Sequence, residues 1–355
     1  MSHFTVLVTL PKGTAHDKVE DTIGEILAPY DENTEVEPYR EYEDGGPEEF
    51  WWVKSVRQAV QDLRDGTGIK PYDPNLLGWS TAASTLTADE QRADLVKEAD
   101  WSFHLGEKPT WETVAKLYTE RYSSEESSRL YYDADSDRAY TLTTYNPESK
   151  WDWWSIGGRW HKYFVATQGT DASALIHGRP GAFGSTAPDQ FGTGVTCDGG
   201  MRGLLDLDAQ RDKDATAAAE RFDVWDRICE KTPPARSWSE FSSLVEMGMP
   251  ITEARTEHSA QPRVALARKE LDSWGCPVEE FFSGREEYIL QARRAAVPGY
   301  ALITLDREWV APGRMGWFGM SSEGPGEKEA YRIAVNTYLD GLDPEAWVVV
   351  VDCHI

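Results

Sequence analysis

The residues best suited to chemistry in this sequence lie in one short segment, KWDWWSIGGRWHKYF, from Lys150 to Phe164. Arg159 carries a planar guanidinium, which donates paired hydrogen bonds to phosphate or carboxylate groups. Gly157 and Gly158 allow a ligand to approach the backbone N–H groups closely. Four tryptophans with flat faces for stacking surround them: Trp151, Trp153, Trp154 and Trp160. The segment is typical of a site for a flat, anionic, nucleotide-like ligand.

The same segment has a structural interpretation. Tryptophans are largely buried on average, and a Gly-Gly pair can form a bulge that bends a strand. Arg159 can then pair with a carboxylate of the protein itself. Gly-Gly-Arg alone has neither the length nor the Lys-Ser/Thr end of a phosphate-binding loop. At this level both interpretations stay open.

A second segment combines glycine with aromatic and basic residues: GRMGWFGMSSEGPGEKE, residues 313–329. Arg314 and Trp317 would lie in a loop able to cover a pocket, and the helix that follows would favour an anion at its N-terminus. A tight turn with anchoring aromatic side chains is the alternative. We predict that the ligand lies between the first segment and this loop.

Histidines near the two ends suggest a less favoured chemistry. His3 lies on the first predicted strand, and His354 follows Asp352 and Cys353 on the last. If these strands are antiparallel neighbours, residues 3 and 354 lie close together, and His161 could join them in a zinc or iron site. Because HExxH and HxH spacings are absent, we predict no metal, with these three histidines as the candidates should one bind.

Other catalytic signatures are missing. The sequence has no GxSxG motif. Asp133, Asp135 and Asp137 lack the glycine and distal glutamate of a calcium loop and suit a solvated hairpin turn. The sequence identifies neither a catalytic residue nor a cofactor, and it leaves open whether the protein is an enzyme.

The elements that would position these residues alternate between strands and helices. HFTVLVTL near the N-terminus predicts a buried strand, and residues 15–28 predict a helix. WVVVVDCHI at the C-terminus predicts a strand covered on both faces. We therefore predict an α+β fold, with a mixed or antiparallel sheet of ferredoxin-like type, helices packed on one face, and the first and last strands as neighbours.

Composition divides the chain further. Residues 1–168 and 299–355 are predicted to form the main sheet domain together. Residues 169–298 are predicted to be a Gly-rich loop, residues 169–203, followed by a helical insertion. Loops of that length usually serve a function or are mobile.

The charge and cysteine content limit the partners and the compartment. The formal net charge of -25 disfavours general nucleic-acid binding, because it repels phosphates. The four cysteines form no CxxC pair and suit reduced thiols of a cytoplasmic protein. The sequence has no window of about 18 apolar residues, so no membrane span is predicted.

Five separated motifs resemble those of an uncharacterised protein family encoded by tailed bacteriophages. They are MSHFTVLV at the N-terminus, LAPY at Leu27–Tyr30, WDWWSIGGRW at Trp151–Trp160, MGWFG at Met315–Gly319 and VDCHI at the C-terminus. The resemblance implies an accessory protein in the bacterial host cytoplasm, of the kind that takes over host metabolism or blocks host defence.

Together these observations favour a phage accessory protein that binds a small anionic, nucleotide-like ligand. One alternative is an acidic interaction protein that occupies the basic surface of a host protein. A second alternative is a metal-dependent hydrolase. The predicted partners are thus a small-molecule ligand or a host protein, with no general nucleic-acid binding and no membrane.

Overall fold

The computed structural model describes residues 3–71, 84–122, 129–181, 195–271, 278–314 and 321–355. The strands are β1 (His3–Leu10), β2 (Tyr39–Tyr42), β3 (Tyr131–Asp133), β4 (Arg138–Thr143), β5 (Trp153–Gly158), β6 (Phe164–Val165), β7 (Arg179–Pro180), β8 (Thr196–Cys197), β9 (Gly199–Met201), β10 (Ala301–Ile303), β11 (Trp309–Val310) and β12 (Trp347–His354). The helices are α1 (Val19–Leu27), α2 (Trp51–Asp65), α3 (Ala88–Ala99), α4 (Trp101–Leu105), α5 (Trp111–Tyr122), α6 (Leu207–Lys231), α7 (Trp238–Glu246), α8 (Ile251–Ala260), α9 (Pro262–Glu270), α10 (Arg285–Ala295) and α11 (Pro325–Asp340).

The chain forms two compact units, and the larger contains residues 1–33 and 148–355. Its mixed sheet has the strand order β11-β10-β1-β12-β5-β7. The first and last strands pair antiparallel over their whole length, as predicted, while β10 runs parallel to β1. β5 and β9 share the outer edge of β12, β5 along its C-terminal half and β9 along its N-terminal half. The predicted α+β class is confirmed.

Both faces of the central strands are covered by helices. Phe4, Val6 and Val8 of β1 pack with α1 in one buried cluster. Leu7 points to the opposite face and packs with α11 in another. Each such aliphatic side chain, when fully buried, stabilises the fold by about 1.5–3 kcal/mol. The prediction of helices on one face is wrong, because alternate residues of the central strands are apolar on both sides.

The segment between β9 and β10 supplies a helical layer to the same unit. Phe222 and Trp225 of α6 pack with Val264 of α9, and with Phe281 just before α10. Trp225 and Phe281 stack with their ring centroids 4.7 Å apart. The two units divide the chain at 33/34 and 147/148, whereas the boundaries predicted from sequence were 168/169 and 298/299. β9, inside the predicted loop, pairs with β12 in the main sheet.

The second unit, residues 34–147, has its own core. β4 pairs antiparallel with β2 and β3, and the hairpin turn predicted at Asp133, Asp135 and Asp137 connects β3 to β4. Trp52 and Val56 of α2 pack against Trp111 and Val114 of α5. α3 begins with a capping box in which Thr87 and Glu90 satisfy each other's backbone N–H groups.

Two of the cysteine thiols in the described residues are shielded from solvent. Cys197 and Cys353 are fully buried, and burial raises the pKa of Cys197 to about 12 and that of Cys353 well above its ordinary value. Neither thiol is therefore a reactive nucleophile near neutral pH. Cys276 lies outside the described residues. Among the described helices, none is both long and apolar enough to cross a membrane.

His258 of α8 makes stability depend on pH. Its ring lies edge-on to Trp238 and Phe241. Burial lowers the pKa of His258, Arg268 lowers it further, and Glu279 opposes the shift. The stabilisation from the neutral ring is fully present above the ordinary pKa of 6.5 and is lost as pH falls below it.

When the pH is lowered from about 8 to about 5, we therefore expect the free energy of unfolding to fall less in His258→Leu than in the parent protein. Thermal melts of both proteins across this range measure the difference. A variant that loses the same stability as the parent would show that the His258 ring does not contribute to the pH dependence.

Candidate functional site

One end of the central sheet brings together residues from three distant motifs. His3 of β1 lies opposite His354 of β12, and His354 lies opposite Trp153 of β5. Cross-strand partners share a face of a sheet, so these three side chains form a transverse row. The ring centroids of His3 and His354 are 4.9 Å apart, and those of His3 and Trp153 are 5.9 Å apart. The predicted proximity of residues 3 and 354 is confirmed.

Each imidazole in the row is held by a carboxylate at its Nδ1 atom. Nδ1 of His3 lies 2.9 Å from Oδ1 of Asp352, and Nδ1 of His354 lies 2.6 Å from Oδ1 of Asp152. An ionised carboxylate only accepts hydrogen bonds, so each imidazole donates from Nδ1–H. In the neutral ring the Nε2 lone pair is then available to an external group.

The Gly157-Gly158 pair lies beside two fully buried carboxylates. Both glycines have positive φ, 77° and 54°. A Cβ on Gly157 would lie 2.9 Å from Cγ of Asp198, and a Cβ on Gly158 only 2.3 Å from Oδ2 of Asp352. The two glycines therefore make room for the side chains of Asp198 and Asp352. This explains why both positions are glycine without the predicted approach of a ligand to the backbone.

The turn after these glycines wraps around the same aspartates. The backbone N–H of Arg159 donates to Oδ2 of Asp352 at 2.9 Å. Asp198 accepts hydrogen bonds from the backbone N–H groups of Lys162 and Gly178, at 2.5 and 2.7 Å, and its Oδ2 lies 2.8 Å from Nδ1 of His161. His161 is thus anchored to Asp198, and no described contact places it with the histidines of the row.

The four predicted tryptophans have different environments. Trp151 is buried in the core, where its Nε1–H donates to the Leu27 carbonyl, so its ring is not available to a ligand. Trp160 is partly buried against the cluster on the α11 face. Trp154 packs partly against the α1 face, while 48% of Trp153 is exposed. Only Trp153 and Trp154 line a cleft.

That cleft has a volume of about 800 Å³ and follows the outer edge of β5. Residues 153–156 of β5 line the cleft. The two glycines that follow them in the strand pair with β7. One further wall is the start of α1 with the residues just before it, and another is β7 with its flanking residues. They comprise His16, Asp17, Val19, Glu20, Ile176, His177, Gly178, Arg179, Pro180 and Gly181. A cleft of this size holds a ligand as large as a nucleotide.

Sequence reasoning missed most of the polar groups in this cleft. Arg179 and His177 are exposed on one wall, and Asp17 and Glu20 are exposed on the other. The only signal was HGRPG, residues 177–181, a Gly-Arg pair inside the predicted loop. The lining includes one guanidinium and two carboxylates, so the cleft carries charges of both signs.

The remaining predicted ligand residues do not line the cleft. The Arg159 side chain is exposed, and no described carboxylate pairs with it. Arg314 lies in a separate turn, where its backbone N–H donates to Ser322 Oγ. Trp317 lies outside the described residues.

The electrostatics near His354 are dominated by carboxylates. Burial raises the pKa of the Glu32 carboxyl, the neighbouring charges of Asp152 and Asp31 raise it further, and His354 acts in the opposite direction. Among the described residues, no group of three or more His, Cys, Asp or Glu side chains is arranged to hold a metal ion.

Comparison with protein-family models, with curated proteins and with solved structures gives no match.

Proposed function

We propose that this chain binds a small nucleotide-like ligand in the cleft along β5. The observation that supports this most is the placement of Trp153 and Trp154 in the wall of an 800 Å³ cleft that also contains an exposed guanidinium. Stacking of one base on an aromatic side chain contributes about 1–3 kcal/mol. A flat ring is the ligand group that suits these two indoles.

The distribution of charge in the cleft refines the ligand. Arg179 would bind an anionic group, such as a phosphate, as a planar bidentate donor. Asp17 and Glu20 accept hydrogen bonds, so they suit ribose hydroxyls or an exocyclic amine on the opposite wall. With two carboxylates against one guanidinium, the arrangement favours a ligand with few negative charges, such as a nucleoside monophosphate, over a triphosphate.

The resemblance to tailed-phage proteins supplies the proposed context. In that context the ligand would come from the bacterial host, and binding it would serve host takeover or the blocking of host defence. The acidic surface remains compatible with a host protein partner, but no particular surface of the described residues favours one.

Isothermal titration with a panel of nucleosides and nucleoside mono-, di- and triphosphates tests the proposal. We expect at least one monophosphate to bind, and Arg179→Ala to weaken its binding about tenfold, as expected for a charge-assisted bidentate contact worth 1.5 kcal/mol or so.

The matched control is Arg314→Ala, which removes an equally exposed guanidinium elsewhere in the same unit. It should bind like the parent protein. If no compound in the panel gave a heat of binding, binding in the cleft would be refuted. An equal loss of affinity in Arg179→Ala and Arg314→Ala would also refute it.

A further inference from the structure

We propose that His3 and His354 form a binding site for a divalent transition-metal ion of the zinc class. The inference goes beyond the nucleotide cleft and does not depend on it, because the two imidazoles and their anchors are distinct from Arg179 and the acidic wall. The two rings of the row are held side by side, and imidazole nitrogen binds zinc-class ions well.

The first support is the distance between the rings. A zinc ion lies about 2.0–2.1 Å from each imidazole nitrogen, so two rings on one tetrahedral ion have centroids roughly 5 Å apart. The centroids of His3 and His354 are 4.9 Å apart, with an interplanar angle of 75°. The spacing of the two rings therefore matches that of two imidazoles on one ion.

The second support is the way in which each ring is held. Histidines that bind metals usually donate their other N–H to a carboxylate, which fixes the tautomer and increases the basicity of the ligating nitrogen. Asp352 and Asp152 do this for His3 and His354. Asp352 is itself fixed, since it is fully buried and also accepts the Arg159 N–H.

The third support is accessibility. The side chains of His3 and His354 keep 18% and 13% of their surface exposed, so an ion can reach them from solvent. The pair supplies two protein ligands, fewer than the three or four of most zinc sites, so water or an added ligand would occupy the other positions of a tetrahedral ion. Trp153, which contacts His3 and lines the cleft, would place such a ligand beside the ion.

Titration of the metal-free, full-length protein with zinc chloride tests the site. We expect one ion per chain, and a loss of binding of about tenfold or more in His354→Ala. Asp152→Asn keeps both imidazoles but weakens the anchor of His354, so we expect it to lower zinc affinity about tenfold while circular dichroism and thermal melts remain those of the parent.

His177→Ala is the control, because it removes an exposed imidazole from the cleft and leaves the row intact. It should bind zinc like the parent. Absence of a zinc site in the parent would overturn the proposal, as would parental zinc affinity in both His354→Ala and Asp152→Asn. An equal loss in His177→Ala would also overturn it, whereas a failure to bind nucleotides would leave it unaffected.

Discussion

Replacing Asp198 by asparagine is expected to destabilise the larger unit by about 3–5 kcal/mol, the largest effect of any single substitution considered for this protein. Asp198 is fully buried, and its two oxygens accept from Lys162, Gly178 and His161. Asparagine has nearly the same shape, but its NH₂ group would replace one of the two accepting oxygens. That group is a donor and would face the hydrogen-bond donors that the oxygen now accepts from. Buried donors left without an acceptor carry the full cost of desolvation.

Urea unfolding of Asp198→Asn measures this loss, and Asp206→Asn is the matched control. Asp206 is a helix cap that accepts one hydrogen bond from the Ala209 N–H, and asparagine caps helices as well as aspartate does. We expect the control to change stability by less than about 0.5 kcal/mol. A loss below about 1 kcal/mol in Asp198→Asn would contradict the clamping role of this carboxylate.

Gly158→Ala should have the second-largest effect, a loss of about 3 kcal/mol or more. The positive φ alone costs an alanine about 1 kcal/mol. The added Cβ would also lie 2.3 Å from both Cβ and Oδ2 of Asp352, closer than atoms pack. Relieving that contact would shift Asp352 and loosen its bonds to His3 and the Arg159 N–H.

Gly169→Ala separates these two contributions. Gly169 also has positive φ, 86°, but nothing lies within 4 Å of the position of its added Cβ. We expect this control to lose only about 1 kcal/mol. Equal losses in the two variants, measured by urea unfolding, would show that Asp352 does not require the glycine.

Regular patterns in the sequence predicted most of the elements. The apolar runs at the two ends predicted neighbouring buried strands, and their antiparallel pairing is what makes His3 and His354 neighbours. The start of α3 is likewise encoded locally, because Thr87 and Glu90 form a capping box. These features depend on residues close in sequence, or on strands long enough to determine their own partners.

The site was predicted less completely, because its contacts join distant parts of the chain. The role of Gly158 depends on Asp352, 194 positions away in the chain, and no local pattern reveals that approach. The cleft depends on β7, whose two residues are too few to give a strand pattern. Trp151 and Trp153 are two residues apart, yet one is in the core and the other is exposed, because Trp153 lies where β5 reaches the end of the sheet.

The central claim, a flat ligand stacked in the cleft along β5, is tested most directly by ¹⁹F NMR of protein labelled with 5-fluorotryptophan. Single Trp→Phe variants would assign the signals of Trp153 and Trp154, and those of two buried references, Trp151 and Trp347, whose Nε1–H groups donate to the carbonyls of Leu27 and Thr14. On addition of a nucleoside monophosphate, we expect the Trp153 and Trp154 signals to shift while both reference signals stay in place. Signals of Trp153 and Trp154 that do not move at saturating concentrations of every nucleotide in the panel would contradict it.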